Sequence, residues 1–193
     1  MDNTQYKNDY KKYVVPFAEG KLRITVDENT IASITDLANS IIKAKASEYH
    51  HKIDNGQEFK RFYTGLLGEA AMEKLLGIDI IDYSVGKSNY YNIADLSKQG
   101  LNIGVKTVEL WKFPVIHKHV VRPEIINVRR DDTTIVCFGY APISALKKYQ
   151  NDNYILSPLL RMRGTKTCFW GFNELIPFNS LDELIKIHQK HSN

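Results

Sequence analysis

The expected fold is decided by the stretch Tyr63-Thr-Gly-Leu-Leu-Gly-Glu-Ala-Ala-Met-Glu-Lys-Leu-Leu-Gly77, together with the shorter stretch Leu101-Asn-Ile-Gly-Val-Lys-Thr-Val108. Apolar residues in the first stretch recur at spacings of three and four, which predicts a helix that carries Glu69 and ends near Gly77. Apolar and polar residues alternate in the second stretch, which predicts a strand. Lys106 and Gly104 then lie on the same face of that strand.

A polar turn precedes the predicted strand. The run Ser97-Lys-Gln-Gly100 ends in glycine and is typical of a hairpin turn. Asp95 comes just before this turn, so we expect it on the neighbouring strand. Asp95 and Lys106 can then meet across the hairpin, with Glu69 supplied by the preceding helix.

This order of elements resembles the PD-(D/E)XK nuclease superfamily, which includes many type II restriction endonucleases and Holliday-junction resolvases. The matching residues are Glu69 on a helix, Asp95 within Asn92-Ile-Ala-Asp-Leu96, and Lys106 at the end of a Val-Lys strand. The resemblance covers the middle third of the chain. It implies an α/β fold of the restriction-endonuclease-like kind, with a mixed β-sheet flanked by helices. The implied activity is Mg²⁺-dependent hydrolysis of DNA phosphodiester bonds, with Mn²⁺ as a substitute metal, most like a small type II restriction enzyme.

The resemblance also implies a role for each matching residue. Glu69 and Asp95 are expected to be metal ligands, together with the backbone carbonyl of Val105, and Lys106 is expected to be the catalytic lysine. A hard cation held by carboxylates offsets the negative charge that develops on phosphate oxygens during hydrolysis. A lysine adds fixed positive charge and helps to position or deprotonate the attacking water.

The chain departs from the family pattern at Gly104, two residues before Lys106, where the family has a Glu, Asp or Gln ligand. Glu69 is expected to replace the missing carboxylate, and Glu73, one helical turn further on, is a second candidate. Glu109 is disfavoured because strand alternation points it away from Lys106. The alternative is a catalytically inactive nuclease-fold protein that binds nucleic acid or a partner protein, such as a phage or defence-system factor.

Each of the three residues also has an explanation that needs no site. Glu69 could be a solvated helix carboxylate, Asp95 could cap the turn, and Lys106 could face solvent on a one-sided sheet. A protein-interaction module whose basic face meets an acidic protein is a third interpretation. The order and spacing of the three residues together favour the nuclease interpretation.

The chain is mildly basic, with a net charge of +4 and a pI near 8.9, which is compatible with nucleic-acid binding. Basic residues and histidines are concentrated in two segments after the predicted catalytic strand. The expected partner is double-stranded DNA, and a homodimer is expected by analogy with restriction enzymes. His117 and His119 have the alternate spacing of strand metal ligands, but no nearby Cys or carboxylate pair completes a zinc site. The residues expected to contact DNA are Lys112, His117, Lys118, His119, Arg122, Arg129, Arg130, Arg161 and Arg163.

The 193 residues are expected to form a single nuclease-like domain, with residues 1–12 as a flexible polar tail. Two cysteines are too few for a disulfide framework, and no signal peptide or membrane-length apolar segment is present in the sequence. A cytoplasmic protein with no membrane partner is therefore expected. Further strands are predicted near residues 21–26, 133–140 and 167–172, and further helices near residues 33–53, 142–149 and 180–188.

Overall fold

The computed structural model describes residues 2–44, 57–84 and 93–191 of the chain. The architecture is mixed α/β, with a mixed four-stranded sheet flanked by helices and a second sheet of three strands. The helices are α1 (Asn3–Tyr13), α2 (Glu28–Ala44), α3 (Glu58–Leu76), α4 (Ile143–Lys148), α5 (Pro158–Met162) and α6 (Leu181–His191). The strands are β1 (Leu22–Thr25), β2 (Gly104–Glu109), β3 (Val115–His117), β4 (Glu124–Arg129), β5 (Thr134–Ala141), β6 (Gln150–Asn151) and β7 (Lys166–Phe169).

The larger sheet has the order β1-β5-β4-β2, so β2 lies at an edge of the described sheet. β2 runs parallel to β4, whereas β4 with β5 and β5 with β1 are antiparallel pairs. The parallel register pairs Gly104 with Glu124 at one end and Glu109 with Arg129 at the other. The smaller sheet has the order β3-β7-β6 and is antiparallel.

Strand β4 is buried on both faces, and it separates two apolar clusters. Ile125 packs in the cluster formed with α2 and α3, whereas its neighbour Ile126 packs in the cluster formed with α1 and the smaller sheet. A strand covered on both faces reads as a continuous apolar run rather than as an alternating one. The run Ile125-Ile-Asn-Val128 has this character and lies in a central strand, although basic residues stand on either side of it in the sequence.

The expectation of a flexible tail over residues 1–12 is wrong for the residues that the structure describes, because Asn3–Tyr13 is the helix α1. The Asp2 side chain accepts a hydrogen bond from the Thr4 amide and caps the helix. Tyr6 and Tyr10, one turn apart, are buried, and both rings pack edge-on against Phe113. Two tyrosines spaced four residues apart supply the apolar face that the polar composition concealed.

The predicted hairpin is also wrong. Asp95 lies in a turn, and Ser97–Gln99 forms a short 3₁₀ helix before β2. The Leu96 amide donates to the Ile103 carbonyl, and this closes the loop without a second strand. The sheet partner of β2 among the described residues is β4, which comes later in the chain.

Other predicted elements are confirmed with shifted ends. The strands near residues 21–26, 133–140 and 167–172 correspond to β1, β5 and β7, and the helices near residues 142–149 and 180–188 correspond to α4 and α6. Helix α2 begins at Glu28 rather than at Ser33, because the Asp27 side chain accepts from the Thr30 amide. Residues 45–53 of that predicted helix lie outside the described residues.

None of the helices in the described part of the chain combines the length and the apolar character that crossing a bilayer requires.

Helix α3 lies against β2 at Gly68. A Cβ atom built on Gly68 would lie 2.6 Å from the Cβ of Thr107 and would overlap its hydroxyl. Only glycine therefore permits this approach of helix and strand. The same contact sets Glu69, the next residue of the helix, beside the edge strand.

We expect Gly68→Ala to lower the free energy of unfolding by about 2 kcal/mol, because the added methyl group overlaps Thr107. Gly65→Ala is the matched control, since a Cβ there meets nothing within 4 Å and alanine favours the helix. Urea denaturation of both variants measures the difference. Equal stability of the two variants would contradict the close contact between α3 and β2.

Candidate functional site

Glu69 projects from α3 into a group of charged side chains and is only partly exposed. Burial and, to a smaller extent, the negative charges of Asp95 and Glu73 raise the pKa of its carboxyl to about 8, whereas Lys106 opposes the shift. The three residues predicted from the sequence, Glu69, Asp95 and Lys106, therefore act on one another electrostatically. The structure brings them together.

Asp95 reaches β2 from the loop before it. Its Oδ2 atom accepts a hydrogen bond of 2.5 Å from the Val105 amide. The Gly104 amide donates to the Pro123 carbonyl, on the β4 side of the strand, so the Val105 amide faces the open edge. The N–H and C=O of one strand residue point to the same side, so the Val105 carbonyl lies on the same edge as Asp95.

Glu124 is a site carboxylate that the sequence analysis missed. It begins β4, directly opposite Gly104 in the parallel register. A Cβ built on Gly104 would lie 2.8 Å from the Glu124 Cδ and would overlap a carboxylate oxygen. The Glu124 carboxyl group therefore fills the space into which a side chain at position 104 would project.

The electrostatics of Glu124 tie it to the same group. The residue is 8% exposed, and this burial raises the pKa of its carboxyl. The positive charges of Lys106 and Arg122 oppose the shift, and the negative charge of Asp95 adds to it. The Arg122 Nε atom lies 3.7 Å from Glu124 Oε1. Glu124, Asp95 and Lys106 thus share one small region at the start of β2 and β4.

The sequence did hold one signal for Glu124. It is the lone acidic residue between Lys112 and Arg130, and it stands immediately before an apolar run. A carboxylate at the beginning of a buried strand is uncommon unless it has partners. Its pairing with Gly104, however, depends on a parallel strand contact that sequence spacing does not reveal.

The other two carboxylates that the sequence raised have separate structural tasks. Glu73 accepts hydrogen bonds of 2.7 Å from the Ile80 and Ile81 amides, and so holds the segment that follows α3. Glu109 forms ion pairs with Lys60 and Lys112. It lies five residues after Gly104 on β2, which corresponds to about 16 Å along the strand.

The basic residues predicted to contact DNA divide into separate groups. Arg122 and His117 lie at the carboxylate group, where both interact with Lys106 or Glu124. Lys118 is close by in sequence and forms an ion pair of 2.5 Å with Asp152. His119 is exposed in the same loop.

Lys112, Arg129 and Arg130 lie at the opposite end of β2 and β4 from Glu124. Arg129 donates to the Thr64 hydroxyl and the Asp131 carbonyl, and its guanidinium lies 4.9 Å from the centre of the Tyr63 ring. These contacts secure the far end of the sheet to α3.

Arg161 lies on α5 and Arg163 directly follows it, and both are exposed. The Arg161 guanidinium donates 2.6 Å and 3.3 Å hydrogen bonds to the carbonyls of Ile155 and Asn153. Arg161 is therefore held partly by the backbone of the residues that precede α5.

Lys166, on β7, is a further basic residue at the site. Its Nζ atom lies 2.5 Å from His117 Nε2. Burial lowers the pKa of Lys166 to about 8, with a further contribution from Lys106, while Glu124 opposes the shift. The smaller sheet thus places a cation next to the carboxylates of the larger one.

Glu69, Asp95, Glu124 and the Val105 carbonyl offer oxygen atoms as metal donors. Among residues 2–44, 57–84 and 93–191, no three His, Cys, Asp or Glu side chains form a ready-made metal-binding group. Mg²⁺, however, is commonly held by only one or two carboxylates, with waters and substrate phosphates completing its shell. Glu69, Asp95, Glu124 and the Val105 carbonyl therefore fit a hard cation in their chemistry.

Comparisons of the chain with protein-family models, with curated proteins and with solved structures found no match.

The raised pKa of Glu69 predicts how stability depends on pH when divalent cations are removed by chelator. The folded protein keeps a proton on Glu69 that the unfolded chain releases above its ordinary pKa of 4.5. The free energy of unfolding should therefore fall as the pH rises from 4.5 to about 8, by up to about 5 kcal/mol. Below pH 4.5 both states are protonated and Glu69 contributes no pH dependence.

Glu69→Gln should remove this fall, and Glu28→Gln, at an exposed position of α2, should retain it. Urea denaturation at several pH values measures both. An unchanged pH dependence in Glu69→Gln would contradict the burial of a carboxyl group among other carboxylates.

Proposed function

We propose that this protein is a Mg²⁺-dependent endonuclease that hydrolyses DNA phosphodiester bonds, with a site of the PD-(D/E)XK type. The single observation that carries the proposal is the Glu124 carboxyl group, which fills the side-chain space of Gly104 and interacts with Lys106 and Asp95. The nuclease site needs a carboxylate two residues before its lysine. Here the neighbouring strand supplies one at that place.

In this proposal Asp95, Glu69, Glu124 and the Val105 carbonyl hold Mg²⁺, or Mn²⁺ in its place. The bound cation would offset the negative charge that develops on the phosphate oxygens. Glu69 and Glu124 are both largely buried, and both are repelled by the negative charge of Asp95. Mutual repulsion of this kind favours the binding of a divalent cation.

Lys106 has a separate task. Its ammonium group interacts with both Glu69 and Glu124 and is partly buried, so its position is restricted. A fixed positive charge in a site of low dielectric stabilises a phosphorane-like transition state more than it would in water. Lys106 also donates hydrogen bonds only, which suits it to orient the attacking water.

We also propose that the mixed α/β fold is of the restriction-endonuclease-like kind. The position of α3 across β2, with Glu69 above the strand, supports a restriction-endonuclease-like fold. Two features depart from the expected pattern, since Asp95 comes from a loop and the partner strand β4 is parallel. Both still deliver their carboxylates to the start of β2.

Double-stranded DNA is the proposed substrate, and the basic residues nearest the carboxylates are the first candidates for its phosphates. These are Arg122, His117 and Lys166. Phosphate contacts position nucleic acid without reading its sequence. The symmetric homodimer, which the resemblance to restriction enzymes implies, and the cytoplasmic location expected from the sequence both stay predictions.

The inactive alternative was based on Gly104, which offers no side chain to a metal. Glu124 weighs against that alternative, because its carboxyl group occupies the space that a side chain at position 104 would fill. The choice between them is decided by cleavage.

The purified protein should cleave DNA with Mg²⁺ or Mn²⁺ and should not cleave it with chelator. Asp95→Ala, Lys106→Ala and Glu124→Gln should each reduce the cleavage rate by about 100-fold or more, since each removes a group that stabilises transition-state charge. Gel analysis of plasmid and phage DNA under single-turnover conditions measures the loss.

Glu109→Gln is the control, since Glu109 lies at the other end of the same strand, and its cleavage rate should stay close to that of the wild type. DNA binding without cleavage in the wild-type protein with either metal would favour the inactive alternative.

A transfer of the carboxylate between strands tests the role of Glu124 directly. Gly104→Asp alone should be destabilising, because the new side chain meets Glu124. The double variant Gly104→Asp, Glu124→Ala removes that overlap and returns the carboxylate to β2. The cleavage rate of the double variant should be at least tenfold higher than that of Glu124→Ala in the same assay. No recovery in a well-folded double variant would mean that position 104 and Glu124 do not serve the same purpose.

A further inference from the structure

The smaller sheet brings two basic side chains to the carboxylate site. β3 and β7 pair antiparallel in a register that sets His117 opposite Lys166. The Lys166 Nζ atom lies 2.5 Å from His117 Nε2. Lys166 interacts electrostatically with Lys106 and Glu124 of the larger sheet, so the pair lies next to the proposed catalytic centre.

Cations outnumber carboxylates around Glu124. Lys106, Arg122 and Lys166 all interact with this one buried carboxylate. Loss of hydration and the charges of Lys106 and Arg122 lower the pKa of Lys166, so the ammonium ion is held near other positive charges. Such crowding is relieved when an anion binds.

The chemistry of His117 fits a role in orienting Lys166. A lysine ammonium group has donors and no acceptor, so the short contact requires His117 Nε2 to accept. His117 is then neutral, in the tautomer that carries its proton on Nδ1. Loss of hydration and the charges of Lys166, Lys106 and Arg122 lower the pKa of His117 to about 4, which keeps it neutral at pH 7. A neutral imidazole fixes the direction of the ammonium group without adding further charge.

Access to the pair is open. His117 is exposed and Lys166 is only partly buried, whereas Glu124 is buried beneath them. Both side chains of the pair are therefore in contact with solvent, from which an anion can approach them. A phosphodiester group carries one negative charge and two free acceptor oxygens, which matches an ammonium group aimed by a neighbour.

We propose that Lys166, oriented by His117 and assisted by Arg122, forms a second phosphate subsite that binds a backbone phosphate next to the one at the Asp95–Lys106 site. The identity of the polymer rests on the function proposed above. The subsite makes the substrate a chain with at least two neighbouring phosphodiester groups. It also gives Lys166 a role in positioning the substrate, distinct from that of Lys106 at the reacting phosphate.

The test is the salt dependence of binding between the full-length protein and a short double-stranded oligonucleotide, with Ca²⁺ in place of Mg²⁺ to limit cleavage. Lys166→Gln should weaken binding about tenfold and reduce the slope of log K against log salt by about 0.9, the value for one lost phosphate contact. Lys166→Arg should retain the slope, because the charge remains.

His117→Phe should weaken binding less than Lys166→Gln does and leave the slope unchanged, since Lys166 keeps its charge. Lys147→Gln, at an exposed position of α4, is the control and should change neither quantity. Lys166→Met provides the same test if the glutamine variant fails to fold.

The outcomes separate the subsite from the proposed nuclease activity. If the wild type binds DNA and Lys166→Gln and Lys166→Met keep its affinity and slope, the subsite is overturned and the carboxylate site is unaffected. If the wild type never cleaves with Mg²⁺ but Lys166→Gln loses slope, the subsite stands and the nuclease proposal fails. If the wild type does not bind DNA, both are overturned.

Discussion

The parallel pairing of β2 with β4 is the constraint on which the candidate site depends. Its register sets the missing side chain of Gly104 opposite the carboxyl group of Glu124. A side chain at position 104 would overlap the Glu124 carboxyl group in its present conformation. Only one carboxylate can therefore occupy this space. The same pairing uses the amide of Gly104 and leaves that of Val105 on the open edge, where Asp95 binds it.

Two further packing contacts complete the site from opposite sides of the sheet. Helix α3 approaches β2 closely at Gly68, and this contact sets Glu69 beside the strand. On the other face, the cluster that contains Ile126 joins the larger sheet to the smaller one, which carries Lys166. Carboxylates and cations from five separate parts of the chain, namely α3, the loop before β2, β2 itself, β4 and β7, thus meet at one end of β2. The burial that results raises the pKa of Glu69 and of Glu124.

The two ends of β2 and β4 differ in the contacts that their charged residues form. At the start of β2 and β4, carboxylates and cations interact with one another in a partly buried region. At the far end, Glu109 and Arg129 form contacts within the chain, with Lys112 and with Thr64 respectively. Arg129 at the far end contacts Tyr63 and Thr64 of α3, whereas the basic residues at the near end are those that we propose to bind an anionic ligand. A count of basic residues along the sequence does not distinguish these roles.

The sequence by itself determined several of the local elements and the residues within them. Apolar spacing predicted α3 and its end near Gly77, alternation predicted β2, and the order of Glu69, Asp95 and Lys106 marked the residues that the structure brings together. Only the tertiary structure decided the partner of β2, the helix at residues 3–13 and the place of Glu124. Periodicity reports which face of one element is apolar, but it contains no information about which strand pairs with which. A carboxylate 20 residues beyond Gly104 becomes its neighbour only through that pairing.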